Sequence, residues 1–173
     1  TLIQEFKHCA DDPGEIIDAL NNRLINFMPS GQFSTFLVGV IDFKTDTFTY
    51  TSASATHPLI YYPKDKKFEV GDGTGVPLGV IDRQSYPLRT MPFPKESSLV
   101  LYSDLLWEFK AVPGVFLDAS NLDNFAKELN GQGLVKTVRQ QVSLLGEPSF
   151  SDDLTLIEVT RLPQGEAIHE SKL

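Results

Sequence analysis

Residues 98–108 read Ser-Leu-Val-Leu-Tyr-Ser-Asp-Leu-Leu-Trp-Glu. Ser98 to Tyr102 is a short, strongly apolar strand, and it stops at the polar pair Ser103-Asp104. Near the end of the chain the order is reversed: Ser151-Asp152-Asp153 leads into a last strand, Leu154 to Val159. Carboxylates therefore sit directly after one apolar strand and directly before another. Groups at strand ends can converge at one rim of a sheet. Whether these do depends on what the rest of the chain builds.

Between the two strands, Leu122 to Leu129 and Leu134 to Leu145 have the apolar spacing of amphipathic helices. Upstream lies a β-rich run. Phe33 to Phe43 is dense in β-branched and aromatic residues, and Thr47 to Ala53 alternates, with Phe48 and Tyr50 on one side and threonines on the other. Leu59 to Tyr62 and Phe68 to Val70 flank the turn Pro63-Lys64-Asp65-Lys66. The spacing predicts an antiparallel meander with short turns. A glycine-rich connection, residues 71–79, precedes a short strand around Tyr86 to Met91, with glycine supplying positive φ in the connection. Leu2 to Phe27 reads as two helices broken at Asp11-Asp12-Pro13-Gly14. In the second, Asp12 caps, Pro13 takes the first position, and Ile16, Ile17, Leu20, Leu24 and Phe27 form one stripe. The order is helix pair, strand run, helix pair, strand. That is an α+β fold with a mostly antiparallel sheet, not a βαβ repeat. A single domain over residues 1–162 and a frayed polar tail over 163–173 follow.

Composition removes several function classes. Of 173 residues 15 are Lys or Arg and 23 are Asp or Glu, for a formal net charge of −8. A nucleic-acid binder needs a basic face, and an anionic lipid surface repels an acidic domain. No apolar run approaches the roughly 18 residues of a membrane span. The single cysteine, Cys9, excludes an internal disulfide framework and suits a reducing cytosol, so the expected location is cytoplasmic. The first residue is Thr1, which reads as the start of a fragment.

The acidic pairs carry the sharpest chemical reading. Clustered carboxylates repel one another unless a cation neutralises them. Hard divalent ions such as Mg²⁺ and Mn²⁺ take oxygen ligands, and metal-bound water is a nucleophile near neutral pH. The plainer alternative is that Asp104, Asp152 and Asp153 are turn residues. His57, in Ala55-Thr56-His57-Pro58, is either a proton donor or phosphate contact, or a turn histidine held against the sheet; the second reading is favoured. The glycine run lacks the lysine of a P-loop. Ser34, Ser103 and Ser151 lack the setting of a hydrolytic serine. Trp107 reads as packing.

The order of motifs resembles the SpoIIE/RsbU-type branch of the bacterial metal-dependent Ser/Thr phosphatases, which are protein phosphatase 2C-like. The resemblance runs from Leu20 to Val159. It is carried by Ala19-Leu20-Asn21-Asn22-Arg23-Leu24, Phe33-Ser34-Thr35, Ala55-Thr56-His57-Pro58, Gly75-Val76-Pro77-Leu78-Gly79, Leu101-Tyr102-Ser103-Asp104 and the closing Asp152-Asp153-Leu154-Thr155. It implies a layered sandwich of antiparallel sheets flanked by helices, with a two-metal centre of Mn²⁺ or Mg²⁺ at one edge. Asp104 and Asp152 match metal-holding positions, and Asp153 matches the neighbour that steadies the site. The implied reaction is attack of metal-activated water on phosphoserine or phosphothreonine. The implied context is the effector end of a bacterial stress or sigma-factor signalling protein, joined to an upstream receiver or sensor domain. Its substrate would be a phosphorylated anti-sigma-factor antagonist or similar regulatory protein.

Three departures matter. The family's first metal motif, Asp followed by Gly-His-Gly, falls before the helix that opens this chain. Leu105 stands where the family has the glycine after the signature aspartate, and Thr56 where it has the glycine before His57. A side chain at position 105 blocks φ values that glycine allows and crowds the site. The resulting expectation is a chain inactive by itself, within a parent protein that is a phosphatase. The alternative is a catalytically dead adaptor or protein-binding module that keeps the fold for partner contact.

Overall fold

A computed structural model describes residues 11–108, 122–129, 132–144 and 152–163. The expected first helix around Leu2 to Phe6, Cys9, the side chain of Trp107 and the tail after Pro163 lie outside the described residues. Helix α1, Pro13–Leu24, starts as its sequence dictates: Asp12 Oδ1 accepts from the Gly14 and Glu15 amides at 2.8 and 3.2 Å. It stops a turn before Phe27. There the chain tightens to i→i−3 bonds, Phe27 N–H to Leu24 O at 2.9 Å, so Phe27 leaves the stripe and is 70% exposed.

Among the described residues seven strands follow: β1 Phe36–Asp42, β2 Thr47–Ala53, β3 Leu59–Tyr62, β4 Lys67–Val70, β5 Arg89–Pro92, β6 Ser98–Tyr102 and β7 Leu156–Thr160. Among the described residues three helices intervene before β7: the single turn α2 Leu105–Glu108, α3 Leu122–Glu128 and α4 Leu134–Leu144. The strands form two antiparallel sheets in the orders β1-β2-β5 and β4-β3-β6-β7. The expected meander is thus two hairpins in different sheets. Between β2 and β3 the chain crosses from one sheet to the other, and it does so at Ser54, whose φ is +57°. Ser52 fixes the bend: its hydroxyl accepts from the Ala55 amide at 3.1 Å and donates to Gly73 O at 2.6 Å.

Side-chain alternation sorts the strands into layers. Phe48 and Tyr50 on β2 meet Ile60 on β3, Leu99 on β6, and Met91 and Phe93, in a core between the sheets. The opposite face of the first sheet packs Ala53 against Ile17 and Leu20 of α1, with Leu78 and Tyr86. The opposite face of the second packs Leu59, Tyr61, Val100 and Tyr102 against Phe125, Ala126, Leu134 and Val138. The result is helix, sheet, sheet, helices. Both faces of each sheet are covered, which is why apolar content alone does not assign a strand to its sheet.

Two polar devices hold the layers in register. Asn21 of α1 is fully buried; its Nδ2 donates to Ile81 O at 2.9 Å and its Oδ1 accepts from Gly79 N–H at 2.9 Å. This ties the helix to the loop that carries Pro77-Leu78-Gly79. Arg161, just past β7, reaches across to the other sheet: its guanidinium donates to Phe93 O and Asp46 Oδ1, each at 2.5 Å, beside the rings of Phe43 and Phe93.

Candidate active site

The central pair of acidic segments is positioned by one ladder. β6 and β7 are hydrogen-bonded neighbours with Tyr102 opposite Leu156. Beyond that pair Ser103 continues the link: its N–H donates to Thr155 O, its hydroxyl accepts from Thr155 N–H, and the same hydroxyl donates to Asp153 O, all at 2.9 Å. Asp104 and Asp152-Asp153 therefore lie at the same end of the second sheet. Beyond the paired strands, however, they open on different clefts. Leu154 and Leu156 turn to the helix-covered face; Thr155 and Ile157 turn to the space between the sheets. Asp104 lines a cleft of about 590 Å³ between the sheets, with His57, Thr35, Ser103 and Thr155. Asp152 and Asp153 line a second cleft, of about 720 Å³, with Val138, Arg139 and Val142 of α4.

All three carboxylates are exposed. Asp104 Oδ1 accepts from the Leu105 amide at 3.0 Å, and Asp152 Oδ1 accepts from the Asp153 amide at 2.8 Å. Their oxygens are the hard donors that Mg²⁺ and Mn²⁺ prefer. Among the described residues, however, no group of three or more His, Cys, Asp or Glu side chains is gathered to hold an ion. The described carboxylates fit a divalent cation in kind but not in number, and no reaction step through a metal follows from them.

The two departures from the glycine pattern are absorbed by the fold. Leu105 does not occupy the left-handed region; it opens α2 and is 4% exposed, so its side chain goes into the core and not towards solvent at the strand end. Thr56 uses what a glycine lacks: its hydroxyl donates to Tyr102 O at 2.5 Å, pinning the approach to β3 against the end of β6.

His57 sits on the same cleft as Asp104, and it is held. Its Nδ1 lies 2.8 Å from Gly71 O and 3.1 Å from Gly73 N. The glycine-rich connection wraps this nitrogen, for a reason different from the expected one. Of its glycines only Gly79 has positive φ. Gly71 and Gly73 are needed for close approach: a Cβ on Gly71 would sit 2.6 Å from Tyr50 Oη, and one on Gly73 would collide with Ala55 O. Asp72 between them is tethered by the Thr74 amide at 2.8 Å, by Arg89 Nε at 2.9 Å, and by Tyr50, whose hydroxyl accepts from the Asp72 amide at 2.8 Å. Hydrogen bonds from Thr74, and after them the Arg89 guanidinium, lower the Asp72 carboxyl to about 2. A depressed carboxyl contributes stability above its unfolded value and loses it as pH falls through the folded one. The loop is therefore expected to loosen between about pH 4 and pH 2. Amide exchange at Gly71 and Gly73, followed by NMR, should show this in wild type and not in Asp72→Asn, where the loop is loosened at every pH.

The sequence model of stage II sporulation protein E (SpoIIE) matches residues 1–162. The chain belongs to the SpoIIE family. Phosphoserine phosphatase RsbU of Bacillus subtilis (strain 168) is 26% identical over 152 residues, covering 86% of this chain and 45% of that protein. The chain thus spans about half the length of this curated relative. The PP2C domain of SiaA from Pseudomonas aeruginosa superposes with a TM-score of 0.69 at 15% identity, over 94% of this chain and 66% of that one. The PP2C phosphatase domain of SpoIIE from Bacillus subtilis, with a fragment of its regulatory domain, gives 0.69 at 16% identity, over 91% and 45%. That SpoIIE phosphatase domain has also been solved after presoaking in manganese, with a TM-score of 0.59 at 14% identity, over 96% and 76%. The fold of the SpoIIE-family domain described above is the protein phosphatase 2C-like sandwich that the resemblance implied. Among the described residues no helix is long and apolar enough to cross a membrane.

Proposed function

We propose that this SpoIIE-family domain serves a Mn²⁺- or Mg²⁺-dependent phosphoserine/phosphothreonine protein phosphatase. The observation that carries the reading is the Ser103 link, which sets Asp104 beside the strand end that bears Asp152 and Asp153. In this reading Asp104 and Asp152 hold metal and Asp153 steadies the site. The protein acts in the cytoplasm as the effector of a bacterial stress or sigma-factor pathway, under an upstream receiver or sensor domain. A phosphorylated anti-sigma-factor antagonist is the class of partner, and the acidic surface argues against nucleic acid or anionic membrane. The 173-residue chain alone has little activity and gains it in a longer protein that completes the ligand set. Phosphoserine-peptide hydrolysis, titrated with Mn²⁺ in the chain and in its parent protein, tests this. Turnover by the parent that rises with Mn²⁺ is expected; a folded parent with no turnover at saturating Mn²⁺ overturns it.

One observation favours a second reading, a non-catalytic adaptor: Asp104 and Asp152 line separate clefts. Calorimetry separates the two readings, since tight binding of two Mn²⁺ per parent chain is incompatible with a degraded site.

A further inference from the structure

Among the described residues that line the cleft between the sheets, one side chain bears nitrogen, His57. The rest of its polar lining is hydroxyls and the Asp104 carboxylate. A dianionic phosphoryl group drawn into such a cleft meets an acidic wall and needs a donor opposite it. The imidazole is built for that task. One ring nitrogen, Nδ1, is enclosed by the Gly71 carbonyl and the Gly73 amide, so the other, Nε2, is the nitrogen left for a ligand. The enclosure is over-determined. Arg89 and Thr74 hold the Asp72 carboxylate, Tyr50 holds the Asp72 backbone, and Ser52 holds Gly73 O. Gly71 and Gly73 are sites where a Cβ has no room. An exposed histidine with only a packing role needs no such support, whereas a group that meets a substrate gains from a fixed orientation.

We propose that His57 is a substrate-contacting residue: Nε2–H donates a hydrogen bond to a phosphoryl oxygen of phosphoserine, in the tautomer whose Nδ1 accepts from the Gly73 amide of the glycine loop. Asp72, Tyr50 and Arg89 are positioning residues that act through that loop. The assignment rests on the phosphatase reading for its catalytic consequence, but not for phosphate binding itself.

The test has two arms. In the parent protein, His57→Ala is expected to lower kcat/KM for a phosphoserine peptide about 10²-fold, as loss of one preorganised donor does. His57→Gln, whose side-chain amide offers a donor near the Nε2 position, should recover to within about tenfold of wild type, with Mn²⁺ affinity unchanged in both. In the 173-residue chain, ¹⁵N NMR during titration with phosphoserine should shift Nε2 of His57 and leave Nδ1 in place. Wild-type hydrolysis matched by His57→Ala overturns the inference and leaves the phosphatase reading standing. Loss of Mn²⁺ affinity in His57→Ala overturns it in favour of a structural or metal role. A phosphoserine-induced Nε2 shift without hydrolysis by the parent supports the inference and removes the phosphatase reading. Absence of both removes both.

Discussion

Asp104→Asn in the parent protein lowers kcat for a phosphoserine peptide by about 10³-fold or more, and shifts Tm by no more than about 2 °C. The two halves of this expectation come from different facts. Asp104 is exposed, and its one described hydrogen bond is to the amide of the next residue. Asparagine keeps the Oδ1 acceptor and caps a helix start equally well, so stability changes by no more than about 0.5 kcal/mol. For a domain of this size that is about 2 °C. What asparagine removes is the anionic hard ligand. A metal's electrostatic stabilisation of a hydrolytic transition state is worth several kcal/mol, and each 1.36 kcal/mol is about tenfold in rate. Asp152→Asn should match it, since both carboxylates serve one ion cluster in this reading. Steady-state kinetics with thermal melts decide the matter: a variant that keeps wild-type kcat shows Asp104 to be a turn residue and no more.

The largest stability effect belongs to the opposite end of the sandwich. Phe93→Ala is expected to destabilise the fold by about 3–5 kcal/mol, the usual cost of emptying a fully enclosed aromatic site. Phe93 is completely buried between the two sheets with Met91, Leu99 and Phe48. It also carries the carbonyl that accepts from Arg161, and its ring lies 5.8 Å from that guanidinium. Truncation therefore opens a cavity in the inter-sheet core and slackens the arm by which the second sheet grips the first. Urea unfolding should show a lower midpoint with an unchanged slope. A loss below about 1 kcal/mol would mean that neighbouring side chains collapse into the gap and that the core there is plastic.

Most of the strands were legible because their signals are local. Thr47–Ala53, Leu59–Tyr62 and Ser98–Tyr102 fall where alternation and turn residues put them. The assignment of strands to sheets was not legible. It turns on the left-handed backbone at Ser54, and serine does not announce that conformation. The site shows the same division. Carboxylates flanking two apolar strands are visible in the sequence, and the strands do pair. Their separation onto two clefts arises outside the strands, where Asp104 leads into α2 and residues 152–155 precede β7, so strand alternation does not announce it. Leu105 misled for a related reason: a glycine replaced at a turn suggests strain, but the chain begins a helix at that point and buries the side chain. The clamp on His57 had a faint trace, the alternating glycines of residues 71–75. Their role as close-contact sites for Ala55, Ser52 and Tyr50 is a tertiary fact.

The Ser103 link joins residues about fifty positions apart, and its far side is the segment that leads directly into β7. During biosynthesis the chain leaves the ribosome from its first residue onward, so β1 to β6 emerge before β7 has been translated. Until then the β6 edge is uncovered and Asp104 has no opposite number. A nascent domain of this topology holds no assembled acidic rim, and premature termination anywhere before Asp152 yields a chain that has lost an edge of its sheet and half of its candidate site in a single event.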